Sequence, residues 1–249
     1  MAGVGRRRLI LWAVLGAVVV GAVALPLGLW LYDRGMVRPA NPDPREYPVR
    51  GIDVSHHQGA IGWRRVKQAG VDFAYLKASE GGDHRDRTFP SNAQAAAQLG
   101  LPTGAYHFFT LCRSGEEQAR NFLAATATAR LRLPPAVDLE FGGNCAGRPA
   151  RATFNHELAV FLQAVRKQTG REPILYVTPE FHAAYLAHSP FQRRGMWVRD
   201  LIGGLSAPSH ARVRFWQYGA RGRVDGVEGP VDLNVFVGEA EEFRRLLAP

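Results

Sequence analysis

The sequence predicts an α/β protein: an irregular (β/α)8-type barrel with some helices missing in its second half, preceded by an N-terminal transmembrane helix. Three observations predict it. An uncharged run from Leu9 to Tyr32 follows Arg6-Arg7-Arg8, and about 20 apolar residues suffice to span a bilayer as a helix. From Gly51 onward, short strand-like segments alternate with helix-like ones, the pattern of a parallel sheet. The strand-like segments number eight, the count at which such a sheet closes on itself.

The elements follow in order. Residues 1–8 are a basic tail, expected to stay cytoplasmic, and residues 9–32 the membrane helix, with everything after Asp33 exported. A competing reading takes Leu9 to Gly21 as a signal h-region with cleavage near Ala22-Val23-Ala24. Residues 33–50, with four prolines, form an extended linker. The remaining 51–249 make one domain, large enough for a buried core. Its strands are expected at Gly51–Ser55, Phe73–Ala78, Pro102–Phe109, Ala136–Phe141, Pro173–Val177, Gly195–Arg199, Val213–Tyr218 and Val231–Phe236. Helices are expected near Trp63–Ala69, Ser91–Leu99, Ser114–Ala129, Thr153–Thr169, Pro179–His188 and Glu239–Leu247. Ser114 with Glu117 reads as a capping box, and Gly170 as a helix stop. Between the sixth and eighth strands, Gly203–Arg214 and Gly219–Gly229 read as loops, so helices are missing there.

Charge narrows the partners. The net charge is +9, but residues 1–50 hold seven Arg against three acids, which leaves +5 on the domain without a dense block. No basic run with interleaved aromatics points to nucleic acid. The two cysteines, Cys112 and Cys145, suit one disulfide in an exported domain; two free thiols are the alternative.

The chemistry centres on Pro134–Phe141. Val137, Leu139 and Phe141 alternate with Asp138 and Glu140, so both carboxylates project from one face, roughly 6 to 7 Å apart along the strand. Like charges that close raise one another's pKa, so one of the two can stay protonated near neutrality. An acid and a base in one cleft are what glycoside cleavage requires. Asp53 on the first strand and Asp232 on the eighth flank the closing seam of the barrel, from which they can face the same mouth. The plainer readings are a solvated strand face for the pair and rim hydrogen-bond acceptors for Asp53 and Asp232.

Tyr106, Phe108, Tyr176, Trp197, Trp216 and Tyr218 recur at strand ends, where rings can face sugars or fill the barrel. His56-His57 and His107 raise a metal site, but neighbours on a strand point to opposite faces, so no metal and no cofactor is expected. Ser55 lies in no nucleophile elbow, and no phosphate-cradling loop is present.

Six short motifs occur in register: Gly51-Ile-Asp-Val-Ser-His-His-Gln58, Ala74-Tyr-Leu-Lys-Ala-Ser-Glu-Gly81, Gly104-Ala-Tyr-His-Phe108, Asp138-Leu-Glu140, Phe215-Trp-Gln-Tyr218 and Val231-Asp-Leu-Asn234. Over residues 51–249 the chain resembles the glycoside hydrolase family 25 muramidases, the Chalaropsis-type lysozymes. The resemblance implies an irregular β/α barrel that cleaves the β-1,4 bond between N-acetylmuramic acid and N-acetylglucosamine in peptidoglycan. A monomer without cofactor is expected. By the same resemblance Glu140 matches the general acid, Asp138 its partner, and Asp53 and Asp232 the other cleft acids. Tyr106, Tyr176, Trp197, Gln58 and Asn234 fall at positions expected to contact substrate. One departure is visible: Val198-Arg199-Asp200 follows Trp197 where similar proteins tend to carry a small residue and then an aromatic. The open rivals are a membrane-tethered barrel that grips peptidoglycan without cutting it, and a hydrolase of chitin-like glycans.

Overall fold

A computed structural model of the chain describes residues 12, 15, 18, 20–31, 37, 39–202, 204–205 and 212–247. The chain divides into two compact units, Met1–Arg38 and Pro39–Pro249. In the first, residues 20–31 are helical and their apolar side chains are exposed. Among the described residues no helix is long and apolar enough to cross a membrane. The basic tail 1–8, the start of the expected span 9–32 and its last residue lie outside the described residues.

The second unit is a closed barrel. Its strands are β1 (Arg50–Val54), β2 (Phe73–Glu80), β3 (His84–Arg85), β4 (Thr103–Phe108), β5 (Ala136–Leu139), β6 (Ile174–Val177), β7 (Gly195–Arg199), β8 (Arg212–Gly222) and β9 (Val231–Phe236). Around the ring the order is β1-β2-β4-β5-β6-β7-β8-β9, with β9 pairing back to β1. The two-residue β3 is a hairpin appendage on the end of β2, too short to leave a periodic signal in the sequence.

One direction differs from the expectation of a parallel sheet. Strand β9 runs antiparallel to both of its neighbours, β8 and β1. Residues 223–230 join β8 to β9, whereas a parallel crossover needs a dozen or more. The reversal brings the second residue of β9, Asp232, level with the C-terminal end of β1. Asp232 lies directly opposite Asp53.

The helices are α1 (Trp63–Gln68), α2 (Phe89–Gln98), α3 (Gly115–Thr126), α4 (Arg151–Thr169), α5 (Pro179–Phe181), which continues as a π-helical turn His182–Leu186, and α6 (Ala240–Leu246). The Ser114–Glu117 capping box closes the start of α3, and Gly170, at φ 69°, ends α4. No described helix separates β7 from β8 or β8 from β9.

Burial on both strand faces splits the core in two. Phe73, Tyr75, Ala136, Ile174, Tyr176, Trp197, Phe215 and Phe236 fill the barrel. Val54, Leu76, Val137, Leu139, Leu175, Met196, Val198 and Val235 belong to a second cluster that includes the buried faces of the helices. The large interior rings leave no room for side chains at two positions beside them. A Cβ on Gly51 would stand 2.4 Å from the Phe73 ring, and one on Gly104 would stand 2.3 Å from Tyr75. The Pro-rich stretch is less extended than its composition suggests. Pro39–Val49 belongs to the domain: Pro42 and Val49 are buried, Tyr47 meets Trp216 edge-on, and Arg50 Nη2 donates to the Pro42 carbonyl at 2.7 Å.

Candidate active site

At the C-terminal end of the parallel strands a cavity of about 90 Å³ is lined by Asp53, Tyr106, Asp138, Glu140, Tyr176, Trp197, Gln217 and Asp232. Strand parity explains the set. Asp138 follows Ala136 on the inward face of β5, and Glu140 leaves the strand one residue past its end on the same side. Tyr176 lies beside Asp138 across β6, and Trp197 beside Tyr176 across β7. All four expected acids therefore meet at one mouth, two from β5 and two from the β1–β9 seam.

Their surroundings differ. Asp53 Oδ2 accepts from Gln217 Nε2 at 3.0 Å and from Asn234 Nδ2 at 2.8 Å. Both amides are fixed from behind: Trp197 Nε1 donates to Asn234 Oδ1 at 2.8 Å, and the Tyr176 hydroxyl donates to Gln217 Oε1 at 2.9 Å. Two relays thus converge on one carboxylate oxygen. Burial pushes the Asp53 carboxyl up, and these amide bonds pull against that push. Asp232 is pushed well up, first by burial and then by the charge of Asp53. The two share a hydrogen bond that lowers Asp53 and raises Asp232, which makes Asp232 the protonated partner.

The β5 pair is less satisfied. Asp138 is pushed well up by burial and then by the Glu140 charge, and its Oδ1 is buried without a hydrogen-bond partner among the described residues. Burial raises Glu140 too, opposed chiefly by Arg199, whose Nη1 lies 3.4 Å from Glu140 Oε2. The charge of Glu140 disfavours a second charge on Asp138, so ionising one acid hinders ionising the other. Burial favours a proton on Asp138, and Arg199 favours an ionised Glu140. Tyr106, half-buried, and Tyr176, buried, lie among these charges, and both are held well above the usual phenol range, first by burial.

Several expectations shift in detail. Trp197 lines the cavity but is only 2% exposed, wedged against Tyr75 and Tyr176 with ring centroids 4.7 and 4.9 Å away. It serves as floor rather than as an open platform. Asn234 is fully buried with both polar groups engaged on Asp53 and Trp197, so it acts on an acid and not on a ligand. Gln58 is also turned away. Its Oε1 accepts from Ser55 N–H at 2.9 Å in a capping box, and its Nε2 reaches the Pro230 carbonyl. His56 and His57 lie on a 3-10 turn and not on a strand, so their rings come together, centroids 4.1 Å apart, while His56 pairs with Asp86.

Gln217 and Asn144 escaped the sequence reading. Gln217 shares the inward parity of Phe215, and a polar side chain there needs a partner. Asn144, in the turn after Glu140, donates to the Glu140 and Phe109 carbonyls and accepts from Leu111 and Cys145 N–H. Beside it the Cys112–Cys145 disulfide, with Cα atoms 6.0 Å apart, ties the loop after β4 to the loop after β5. The segment that carries Glu140 is thereby braced from both sides.

The chain is similar to known proteins over most of its length. The family model described as Glycosyl hydrolases family 25 matches residues 52–227. Uncharacterized protein YegX of Escherichia coli K12 is 36% identical over 206 residues, covering 81% of this chain and 74% of that protein. Lysozyme M1 of Streptomyces globisporus is 36% identical over 218 residues, covering 80% of this chain and 70% of that protein. The solved structure of a family 25 glycosyl hydrolase from Bacillus anthracis superposes with a TM-score of 0.77 at 33% identity, covering 85% of this chain and 98% of that one.

Proposed function

This chain belongs to glycosyl hydrolase family 25, and we propose that its four clustered carboxylates divide the cleavage of a glycosidic bond between a proton donor, Glu140, and a partner, Asp138. The enzyme is a lysozyme: it hydrolyses peptidoglycan at the β-1,4 bond between N-acetylmuramic acid and N-acetylglucosamine. The allocation of roles is our reading.

The observation that supports it is the unfilled acceptor on Asp138. A buried oxygen without a donor costs about 1–3 kcal/mol, and an N-acetyl sugar carries a matching donor, its acetamido N–H. When that N–H donates to Asp138 Oδ1, the ionised form of Asp138 is stabilised and the proton of the pair passes to Glu140. Glu140 is the more open of the two, with 22% of its side chain exposed. It then protonates the glycosidic oxygen. The acetamido oxygen, polarised by Asp138, attacks the anomeric carbon as the bond to the leaving sugar breaks. Water, deprotonated by Glu140, reopens the ring intermediate; such substrate-assisted routes are known for glycoside hydrolysis. Asp53 and Asp232 hold the local charge balance.

Glu140→Gln tests the reading. It keeps the fold but removes the proton, so lysis of purified sacculi falls by about 10³-fold, within the range for general-acid catalysis. Mass spectrometry of the wild-type digest shows fragments ending in reducing muramic acid. Fragments ending in reducing N-acetylglucosamine would refute the bond cleaved, and undiminished lysis by the variant would refute the allocation.

We infer also that residues 9–32 act as an uncleaved anchor and hold the domain outside the cytoplasm. The support is Arg6-Arg7-Arg8 before the apolar run and the exposed apolar helix at residues 20–31. Fractionation decides: a shortened, freely soluble product refutes the anchor.

A further inference from the structure

The end of the barrel opposite the carboxylates carries the opposite charge. There the N-terminal ends of β6, β7 and β8, with Pro134 and the loop Gly170–Pro173, enclose a cavity of about 540 Å³. Five arginines line it, Arg171, Arg193, Arg194, Arg212 and Arg214, against one acid, Glu172. That acid is spent: Glu172 pairs with Arg194 and, through its other oxygen, with Arg166 Nε at 3.2 Å. Arg171 donates Nη1 to the Arg132 carbonyl at 2.6 Å and Nη2 to the Leu246 carbonyl. Those neutral acceptors fix its guanidinium but leave its charge uncompensated. Arg193, Arg212 and Arg214 have no carboxylate partner among the described residues. A surplus of four guanidinium groups around one hollow is a standing repulsion, and nothing in the catalytic site uses it.

Guanidinium forks match the geometry of tetrahedral oxyanions and bind them bidentately. The hollow has room for more than a bare ion. We propose that this cavity is a second binding site, for phosphate-type oxyanions borne on a larger envelope molecule, and that it holds the enzyme to an anionic surface while the opposite mouth cuts glycan. Arg171 and Arg194, already fixed by their own contacts, form the back of the cradle. Arg193 and Arg212, exposed, and Arg214, half-buried, supply the adjustable front. The proposal extends the lysozyme reading but does not require the assigned roles of Glu140 and Asp138.

The test uses the full chain and a triple variant, Arg193→Gln, Arg212→Gln and Arg214→Gln, whose replaced groups lie at the surface. Calorimetric titration with inorganic phosphate and with glycerol phosphate reads the site itself. The expected result is saturable binding by the wild type, weakened at least 10-fold in the variant, with Tm and the cleavage of a short soluble muramyl oligosaccharide unchanged. Two further arms identify the source of the phosphate. One compares lysis of walls that carry a phosphodiester polymer with walls chemically stripped of it. The other compares binding to phosphatidylglycerol and phosphatidylcholine vesicles, read as the difference between wild type and variant because the apolar N-terminal segment can enter either. A preference lost in the variant on walls assigns the polymer; one lost on vesicles assigns the lipid headgroup. No phosphate binding by the wild type, equal binding by the variant, or no difference on either surface overturns the proposal. Loss of soluble-substrate cleavage in Glu140→Gln with phosphate binding intact keeps the two readings separate.

Discussion

Among the described residues Arg199 is the one cation paired with the central acids, and its removal tests the electrostatics of the cleft. Arg199→Gln keeps the length and polarity of the side chain and deletes the charge. At the observed 3.4 Å, two unit charges in an effective dielectric of 20 attract by about 5 kcal/mol. That figure is an upper bound, since the two side chains are 35% and 22% exposed and exposed pairs are typically worth below 1 kcal/mol. An intermediate value of about 1–2 kcal/mol corresponds to roughly one pKa unit. The sign follows from the partners. Burial raises Glu140 and Arg199 opposes that rise, so deleting the cation raises the acid further. In the proposed allocation Glu140 acts in its protonated form, hence the alkaline limb of kcat/KM moves to higher pH by about one unit. The assay is a pH profile on a soluble muramyl oligosaccharide at low ionic strength. An alkaline limb that stays in place, or moves to lower pH, refutes the assignment of Glu140 as the titrating acid.

Asp53→Asn deletes a charge that raises both Asp138 and Glu140, so in the same assay the alkaline limb moves the other way, to lower pH. Asp138→Asn abolishes turnover but stabilises the fold at neutral pH. The native state holds the Asp138 proton more tightly than the unfolded chain, whose carboxyl titrates near 3.8, so the wild type loses stability as pH rises above that value. The gain in Tm is therefore present at pH 7 and vanishes below pH 3.8, and a variant less stable than wild type at pH 7 contradicts the reasoning. Cys112→Ser with Cys145→Ser opens a loop closed over a separation of 33 residues, which costs about 3–4 kcal/mol on chain-entropy grounds; calorimetry should find Tm lower by roughly 10 °C.

Much of this was legible because barrel strands obey a period of two and sit between helices. The alternation around Asp138 and Glu140 fixed both their face and their place at a strand end, and the eight large strands fell at their expected positions. The direction of β9 was not read, although its signal was present. The loop-like stretch Gly219–Gly229 has no room for a crossover helix, and a strand that follows such a loop returns antiparallel. Asp232 reached the mouth because of that reversal: on a parallel strand its second position would lie at the far rim. Asn234 and Gln58 show a second limit. Motif position names a residue but not its partner, and whether an amide faces a ligand or a neighbouring carboxylate depends on groups far away in the chain, here Trp197 for Asn234 and Pro230 for Gln58. The linker shows a third: its prolines suggested a spacer, yet Tyr47 and Val49 had apolar surface to bury.

The reversed strand also explains how four acids coexist in one small cavity. Paired across antiparallel strands, Asp53 and Asp232 face each other closely enough to share a proton, so the seam carries one negative charge and not two. Two amides and the hydrogens of Trp197 and Tyr176 stabilise that charge. With Asp53 as the fixed anion, a second full charge nearby is disfavoured, and it raises both members of the β5 pair. Asp53 therefore biases that pair toward holding a proton. Arg199 limits how far Glu140 rises. Burial raises both acids of β5, Asp53 on the opposite side of the ring adds to that rise, and the direction of a single strand is what sets Asp232 beside Asp53.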